Sequence, residues 1–365
     1  MAIQCILPQR AVRLQYWSRT ADCASNTEGE LHNLMSNSFL LFAQGLDETA
    51  LQRAVPPPIR PKQIEPLAWN GDEFSFAVPS TALEGALEIL PCLSVVHDGA
   101  WGYQFAIECE TKTGHSSQAV LDPIGSFVEA VQSGFRTGAA VGAANEAVAA
   151  EIDLLRIRTP LQTATLHLRV QGVAPTAPAL LSVSMRRKGA VPAPTLASRD
   201  TALAVPPQSQ MVLRPELASH VCSPTSVAML LAYYGHSADI YDVIAEARHQ
   251  PSGLYGVWPA NIHAAARRGL LGYLLHFPSW EAARALIDAG FPIVASVRYE
   301  VGELSRAAIE RTAGHLLVVR GYAEDTVLVN DPAANDEVAR AYDLAEFCKV
   351  WLERSAVGYV LFPPL

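Results

Sequence analysis

Apolar and polar residues alternate over several short stretches in the first half of the chain. The clearest are Phe74–Val78, Trp101–Ile107, Ala164–Val170 and Leu180–Met185, and glycine or proline residues separate them. A period of two residues is typical of strands that bury one face. The pattern predicts that residues 1–188 form a β-rich domain, an antiparallel sandwich of the jelly-roll kind.

Two other stretches interrupt this pattern. The alanine-rich residues 139–150 predict a short helix, and the proline- and alanine-rich residues 189–205 predict a linker to a second domain at 206–365. The first domain gives no sign of its role. Its polar candidates share no metal-ligand spacing, and they are His97, Asp98, His115, Asp122 and Asp153.

The second domain begins with helical spacing. Val227, Leu230, Leu231 and Tyr234 recur every three or four residues, and Gly235 is a typical helix stop. Helices come first and most strands follow, which predicts an α+β fold. Further helices are predicted at 240–250, 259–268, 280–289 and 344–354, and strands at 270–277, 291–299 and 358–362.

Cys222 lies at the start of the first of these helices. Ser223 and Pro224 suit a first helical turn, where the missing N–H of proline leaves no intrahelical bond unmade. The positive end of a helix dipole lowers the pKa of a thiol and so supplies thiolate, the nucleophilic form. The alternative is an inert buried cysteine, which packs as a small apolar residue.

A histidine and an aspartate lie on neighbouring predicted strands. Gly314–Tyr322 and Thr326–Pro332 are joined by a short polar turn, so they form a hairpin. His315 begins one strand and Asp331 ends the other, which places both at the end of the hairpin away from the turn. Asn330 is the alternative partner, but adjacent strand residues face opposite ways. A thiol, a base and an orienting acid are the parts of a cysteine nucleophile.

Composition narrows the possible functions. The chain has 365 residues, half of them hydrophobic, and a net charge of −9, which predicts two domains and argues against nucleic-acid or anionic-membrane partners. No signal peptide or apolar span is evident. The scattered cysteines predict neither disulfides nor zinc, and we expect no cofactor and a cytoplasmic location. These cysteines are Cys5, Cys23, Cys92, Cys109, Cys222 and Cys348.

Five motifs of residues 205–365 occur in the order found in one family. With them, the second domain resembles the papain-like cysteine peptidases of the bacteriocin-processing (double-glycine leader) type, in their stand-alone C39-like branch. In this family glycine commonly follows the cysteine, where this chain has Ser223. The motifs are Val205–Gln210, Cys222–Ser226, Tyr255–Trp258, Gly314–Tyr322 and Asn330–Pro332.

The resemblance implies a role for each matching residue. Cys222 would be the nucleophile, His315 the base, Asp331 the orienting acid, and Gln210 the side chain that donates to the oxyanion. The alternative for Gln210 is an ordinary exposed residue of the linker, because Gln208 lies close by in the same segment.

The tyrosine-containing motif implies substrate-binding residues. Gly256 and Trp258 would lie beside the cleft, although an aromatic residue before a helix is often part of a core. The predicted activity is cysteine peptidase or amidase on a peptide or related amide. The alternatives are an acyltransferase, cyclase or transglutaminase-like enzyme with the same thioacyl chemistry, and a non-catalytic binding protein. The oligomeric state stays open.

Overall fold

Two sheets form most of the first half of the chain in a computed structural model that describes residues 38–68, 72–126, 147–174, 176–197 and 199–364. The alternating stretches are confirmed as strands. Cys5, Cys23 and residues 139–146 of the predicted alanine-rich helix lie outside the described residues, and residues 148–150 of that stretch are a strand, not helix. Valine and alanine accept either conformation, so local propensity did not decide it.

The first sheet has the strand order β2-β1-β11-β4-β9-β8. All of its described pairs are antiparallel except β1 with β2, which is parallel. A helix at Glu48–Ala54 and a 3-10 turn at Pro57–Ile59 connect β1 to β2, and a helix at Ser80–Leu83 precedes β4. The strands are β1 Phe39–Gln44, β2 Ile64–Pro66, β4 Ala86–Val95, β8 Val148–Ala150, β9 Leu155–Ile157 and β11 Ala179–Arg187.

The second sheet has the order β3-β10-β5-β6, with β7 paired to β5. It shares one hydrophobic cluster with the first sheet, in which Ile89 and Leu93 meet Ile107 and Leu166. Burial of these apolar faces is the main stabilising contribution of this half. The strands are β3 Glu73–Ala77, β5 Gly102–Thr111, β6 Ser116–Val120, β7 Ile124–Gly125 and β10 Leu161–Gln171.

The third sheet belongs to the second half and has the order β13-β18-β14-β15-β16-β17, with β12 paired to β15. Its described pairs are antiparallel. The last residues of the predicted linker are structured, because they form β12. The strands are β12 Thr201–Ala202, β13 Leu271–His276, β14 Ile293–Tyr299, β15 Thr312–Ala323, β16 Thr326–Asn330, β17 Ala339–Asp343 and β18 Val357–Phe362.

Helices of the second half pack on both faces of this sheet. The predicted helices are confirmed to within a few residues at their ends. Gly235 follows two residues after Tyr233, the last residue of the first long helix, and has a φ of 79°, a conformation that glycine adopts without strain. The helices are Pro215–Ala218, Cys222–Tyr233, Ile240–Ala247, Trp258–Ala266, Trp280–Asp288 and Leu344–Trp351, with a 3-10 turn at Gln210–Val212.

The outer face of the first sheet contacts the second half through a row of serines. The hydroxyls of Ser94, Ser182 and Ser184 accept hydrogen bonds of 3.0, 3.3 and 2.8 Å from alternate backbone N–H groups of the edge strand β13. A buried N–H without a partner costs about 1–3 kcal/mol, so these serines protect the edge that the sheet would otherwise leave open. The donors are, in order, Gly272, Leu274 and His276.

Apolar side chains continue the same contact. Leu90 and Cys92 of β4 belong to the hydrophobic cluster that also contains Cys222 and Leu274. The first half therefore reaches the surroundings of Cys222.

Candidate active site

Cys222 is the first residue of the helix Cys222–Tyr233, as the sequence predicts. Every residue from Cys222 to Leu231 is buried, so this helix lies in the centre of the second half and not on its surface. Two side chains of its first turns fix its position. Ser223 Oγ is 2.9 Å from the hydroxyl of Tyr359, and Ser226 Oγ donates to the carbonyl of Cys222 at 2.9 Å.

His315 and Asp331 are in direct contact. Nε2 of His315 lies 2.8 Å from Oδ1 of Asp331, and the sulfur of Cys222 is hydrogen-bonded to the same imidazole. Because Asp331 occupies Nε2, the sulfur is left with Nδ1. The structure therefore brings together three side chains that lie 93 and 16 residues apart in sequence, in the order sulfur, imidazole, carboxylate.

Two further donors hold the Asp331 carboxylate. The backbone N–H of Ala333 donates to Oδ1 at 3.0 Å, and the hydroxyl of Tyr342 donates to Oδ2 at 2.7 Å. Burial alone would raise the pKa of Asp331, but the imidazole of His315 and these donors outweigh it, so the pKa is lowered. Asp331 is therefore an anion throughout the neutral range.

The imidazole is correspondingly basic. Burial disfavours its charged form, but the carboxylate of Asp331 and the sulfur of Cys222 outweigh burial and raise the pKa of His315 to about 10. An imidazolium beside a sulfur at a helix start is the arrangement that favours thiolate.

Gln210 lies beside this cluster but its side chain is already bonded. Its Nε2 donates to the carbonyl of Ala218 at 2.7 Å, and its backbone N–H donates to the carbonyl of Pro332 at 2.8 Å. Gln210 is fully buried, whereas Gln208 is partly exposed. An amide nitrogen has two N–H donors, so one donor of Gln210 remains for another acceptor.

Asn330 is directed away from the imidazole. Its Nδ2 donates to the carbonyl of Val205 at 2.9 Å, and its Oδ1 accepts from Nε of Arg320 at 3.0 Å. Asn330 thus anchors the segment that precedes Gln210, and Asp331 is the one of the two that contacts His315.

A cavity of about 580 Å³ is lined in part by the residues that flank His315 in the chain. Gly256 and Trp258 line it, and so do Gly314 and Leu316, the two neighbours of His315. The residues Cys222 and His315 are 0% and 1% exposed. A substrate carbonyl can therefore reach the sulfur only after a neighbouring side chain moves.

The loop between β8 and β9 also lines the cavity, and sequence reasoning missed it. Leu154 is buried in the hydrophobic cluster of Cys222, and the carboxylate of Asp153 accepts the backbone N–H of Trp258. Glu151 and Ile152 line the cavity beside them. The only sequence signal was a short run of acidic and apolar residues, which is ordinary for a surface loop.

Asp153 makes this contact sensitive to pH. Burial raises its pKa to about 7, helped by the nearby carboxylates of Glu151 and Glu88 and opposed by the N–H of Trp258. The ordinary value is 3.8, so between pH 4 and 7 the folded chain binds the extra proton. The contribution of Asp153 to stability therefore falls as pH rises from 4 to 7. Above pH 7 the buried carboxylate is ionised, and its full destabilising effect remains.

Substitution of Asp153 by asparagine tests this cost. The amide oxygen can still accept from Trp258, but it carries no charge at any pH. We expect the variant to be more stable than the wild type by roughly 2 kcal/mol at pH 8 and equally stable at pH 4, from melting temperatures across that range. The same change at the exposed Asp325 should alter the stability at neither pH. If the wild type and both variants had the same melting temperature at every pH, Asp153 would not be a destabilising buried charge.

A family model matches most of the second half of the chain. Residues 202–359, less than half of the chain, match the model described as the Peptidase_C39 like family, and they form a C39-like peptidase segment. This agrees with the resemblance seen in the motifs. No curated protein matches the chain.

Two solved structures are similar to about half of the chain. One is a double glycine motif protease from an AMS/PCAT transporter in complex with the leader peptide, with 19% identity, 46% of this chain and 97% of that chain covered, and a TM-score of 0.32. The other is described as a C39-like peptidase from Bacillus anthracis, with 19% identity, coverage of 45% and 98%, and a TM-score of 0.37.

Two kinds of feature are lacking in the described ranges. Within those ranges, no three His, Cys, Asp or Glu side chains are grouped so that they could hold a metal ion. None of the helices in the same ranges has the length and apolar character needed to cross a membrane.

Proposed function

We propose that residues 206–365 are the catalytic domain of a cysteine peptidase or amidase, with Cys222 as nucleophile, His315 as general base and acid, and Asp331 as the orienting acid. The observation that carries this proposal is the 2.8 Å contact between Nε2 of His315 and Asp331, with the sulfur of Cys222 on the other side of the same ring. A buried carboxylate, imidazole and thiol in series have the roles that acyl transfer requires.

The reaction proceeds through a covalent thioester. The thiolate of Cys222 attacks the carbonyl carbon of a peptide or amide, and the electron pair of the C=O bond moves to oxygen. When the C–N bond breaks, Nδ1 of His315 gives its proton to the leaving amine. The imidazole then removes a proton from water, whose oxygen attacks the thioester; the C–S bond breaks, and the acid and the thiolate of Cys222 are released beside the imidazolium.

Asp331 keeps the ring in the required position during both steps. Its anion accepts the Nε2–H of His315 and so leaves Nδ1 facing the sulfur. Tyr342 and the N–H of Ala333 fix the carboxylate in turn. The free donor of the Gln210 amide and the backbone N–H of Cys222 are the groups we assign to the developing oxyanion, where each donor is worth about 3–4 kcal/mol in comparable sites.

Substrate access involves the first half of the chain. Leu154 contributes both to the cavity wall and to the cluster around Cys222, so its side chain is the one we expect to move when a substrate carbonyl approaches the sulfur. Gly256 and Trp258, which line the same cavity, would contact the substrate.

The test is product analysis with a competing acceptor. The full chain is incubated with a mixed peptide library, with and without hydroxylamine, and products are weighed by mass spectrometry. Hydrolysis predicts new carboxyl termini in water and hydroxamates when hydroxylamine is present, both lost in Cys222→Ala. Cyclised or transferred products without new carboxyl termini would favour an acyltransferase. No product and no adduct on Cys222 would overturn the proposal in favour of a binding protein.

A further inference from the structure

The charged side chains of the cavity are mostly paired with one another. Arg156 contacts Glu88 through Nη1 at 2.7 Å and Glu151 through Nε at 2.5 Å, and Arg186 contacts Glu88 at 3.4 Å. Two arginines thus neutralise two glutamates. All four line the cavity, and all four come from the first half of the chain.

Asp153 lines the same cavity, but among the described residues its charge is not paired with an arginine. Its carboxylate accepts the backbone N–H of Trp258, and its pKa of about 7 leaves it partly protonated at neutral pH. Asp153 is therefore a weak competitor for a cation in the cavity.

Arg298 is the remaining charged residue of the lining. It lies on β14, where Val297 pairs with His315 and Tyr299 pairs with Thr312. Arg298 of β14 therefore lies opposite two residues of β15, Ala313 and Gly314, and this irregularity is a β-bulge. Bulges redirect side chains and are common beside active sites.

This position places Arg298 beside the catalytic histidine. Arg298, Ala313 and Gly314 line one part of the cavity, and the next residue of β15 is His315. The Arg298 side chain is exposed, and within the described part of the chain it makes no ion pair. Arginine stays charged at every relevant pH and binds carboxylates in a bidentate way.

We infer that Arg298 is a substrate-binding residue that selects a substrate with a carboxylate close to the scissile bond. This inference rests on the proposed function, because it places the recognised anion next to the attacking sulfur. The chain as a whole carries a charge of −9, but the positive charge of Arg298 in the cavity attracts an anionic group locally. The apolar neighbours Val297, Leu316 and Val357 would hold the uncharged part of such a substrate.

Two small alkylating reagents of nearly equal shape test the inference. Iodoacetate carries a carboxylate and iodoacetamide does not, so the ratio of their rates at Cys222 reports the local charge. The rates are followed by peptide mass spectrometry at low salt for wild type, Arg298→Gln and Arg298→Lys. The control is Arg53→Gln, because Arg53 is exposed and lines a different cavity.

We expect the iodoacetate-to-iodoacetamide ratio to fall roughly three- to tenfold in Arg298→Gln, as removal of one nearby charge predicts, and to stay near wild type in Arg298→Lys and Arg53→Gln. The difference should shrink in 0.5 M salt. A ratio that is the same in wild type and Arg298→Gln overturns the inference.

The same experiment tests the proposed function and the role of Arg298 separately. The absolute rate with iodoacetamide, compared with Cys348, reports whether Cys222 is an activated thiol and so bears on the proposed function. The ratio of the two reagents can be measured whether the absolute rate is high or low, and it bears on Arg298 alone. Where turnover is detected, paired peptides with Glu or Gln next to the cleaved bond should differ in kcat/KM by a similar factor that Arg298→Gln removes.

Discussion

Replacement of Cys222 by alanine is expected to reduce turnover by at least about 10⁴-fold, because no other group in the site can form the acyl intermediate. His315, Asp331 and the oxyanion donors remain in the variant, so the residual rate reports what binding and electrostatics achieve alone. The measurement is product formation from a substrate found with the peptide library, together with the intact mass of the quenched chain. The thioester adduct of the wild type should be missing from the variant.

Cys348 provides the matched control for this change. It is also a buried helical cysteine, and burial raises its pKa to about 12, so it is an inert thiol. Cys348→Ala should keep full turnover and the adduct. Full activity in Cys222→Ala would remove Cys222 from the mechanism.

Replacement of Asp331 by asparagine is expected to lower kcat by roughly 10²–10⁴-fold with little change in KM. The amide carries no negative charge, so its oxygen accepts the Nε2–H of His315 more weakly and the ring is held less firmly. The negative charge of Asp331 also helps to raise the pKa of His315, so this pKa should fall. Imidazolium then persists only to a lower pH, and the alkaline limb of the kcat/KM profile should move to lower pH.

Asp325 is the control for this substitution. It lies in the exposed turn of the same hairpin, six residues from Asp331, and Asp325→Asn should leave both the rate and the pH profile unchanged. An Asp331→Asn variant with wild-type kcat and an unshifted profile would show that the carboxylate has no part in the reaction.

Periodicity and residue type were sufficient to predict much of the second half. The cysteine helix, the hairpin with His315 and the strand that ends next to Asp331 are local features, each specified by a few neighbouring residues. Alternation of strand residues also predicted that Asp331 and Asn330 point apart, and the structure has Asp331 on His315 and Asn330 on Val205.

Contacts between distant segments could not be predicted in this way. Tyr342 holds the Asp331 carboxylate from β17, a short strand that gave no clear signal. The loop that carries Asp153 and Leu154 reaches the cavity from the other half of the chain, because β13 is fixed against the first sheet. A single sequence shows neither which loops meet nor which side chains they bury.

Arg298 is an intermediate case. Its strand was predicted, but its relation to His315 depends on a bulge in which one residue faces two. A one-residue change of register reverses the face of every side chain beyond it, and sequence alone does not show where such a change occurs.

The central claim is that folding makes Cys222 a thiolate by bringing it to His315 and Asp331. The most direct measurement is the rate of iodoacetamide alkylation at pH 6 for each of Cys222, Cys348, Cys92 and Cys109 in the folded wild-type chain, by peptide mass spectrometry. Burial raises the pKa of the last three to about 12, 12 and 11, so they should react very slowly. We predict that Cys222 reacts at least about 10²-fold faster than any of them. A Cys222 that reacts as slowly as Cys348 at this pH would contradict the account.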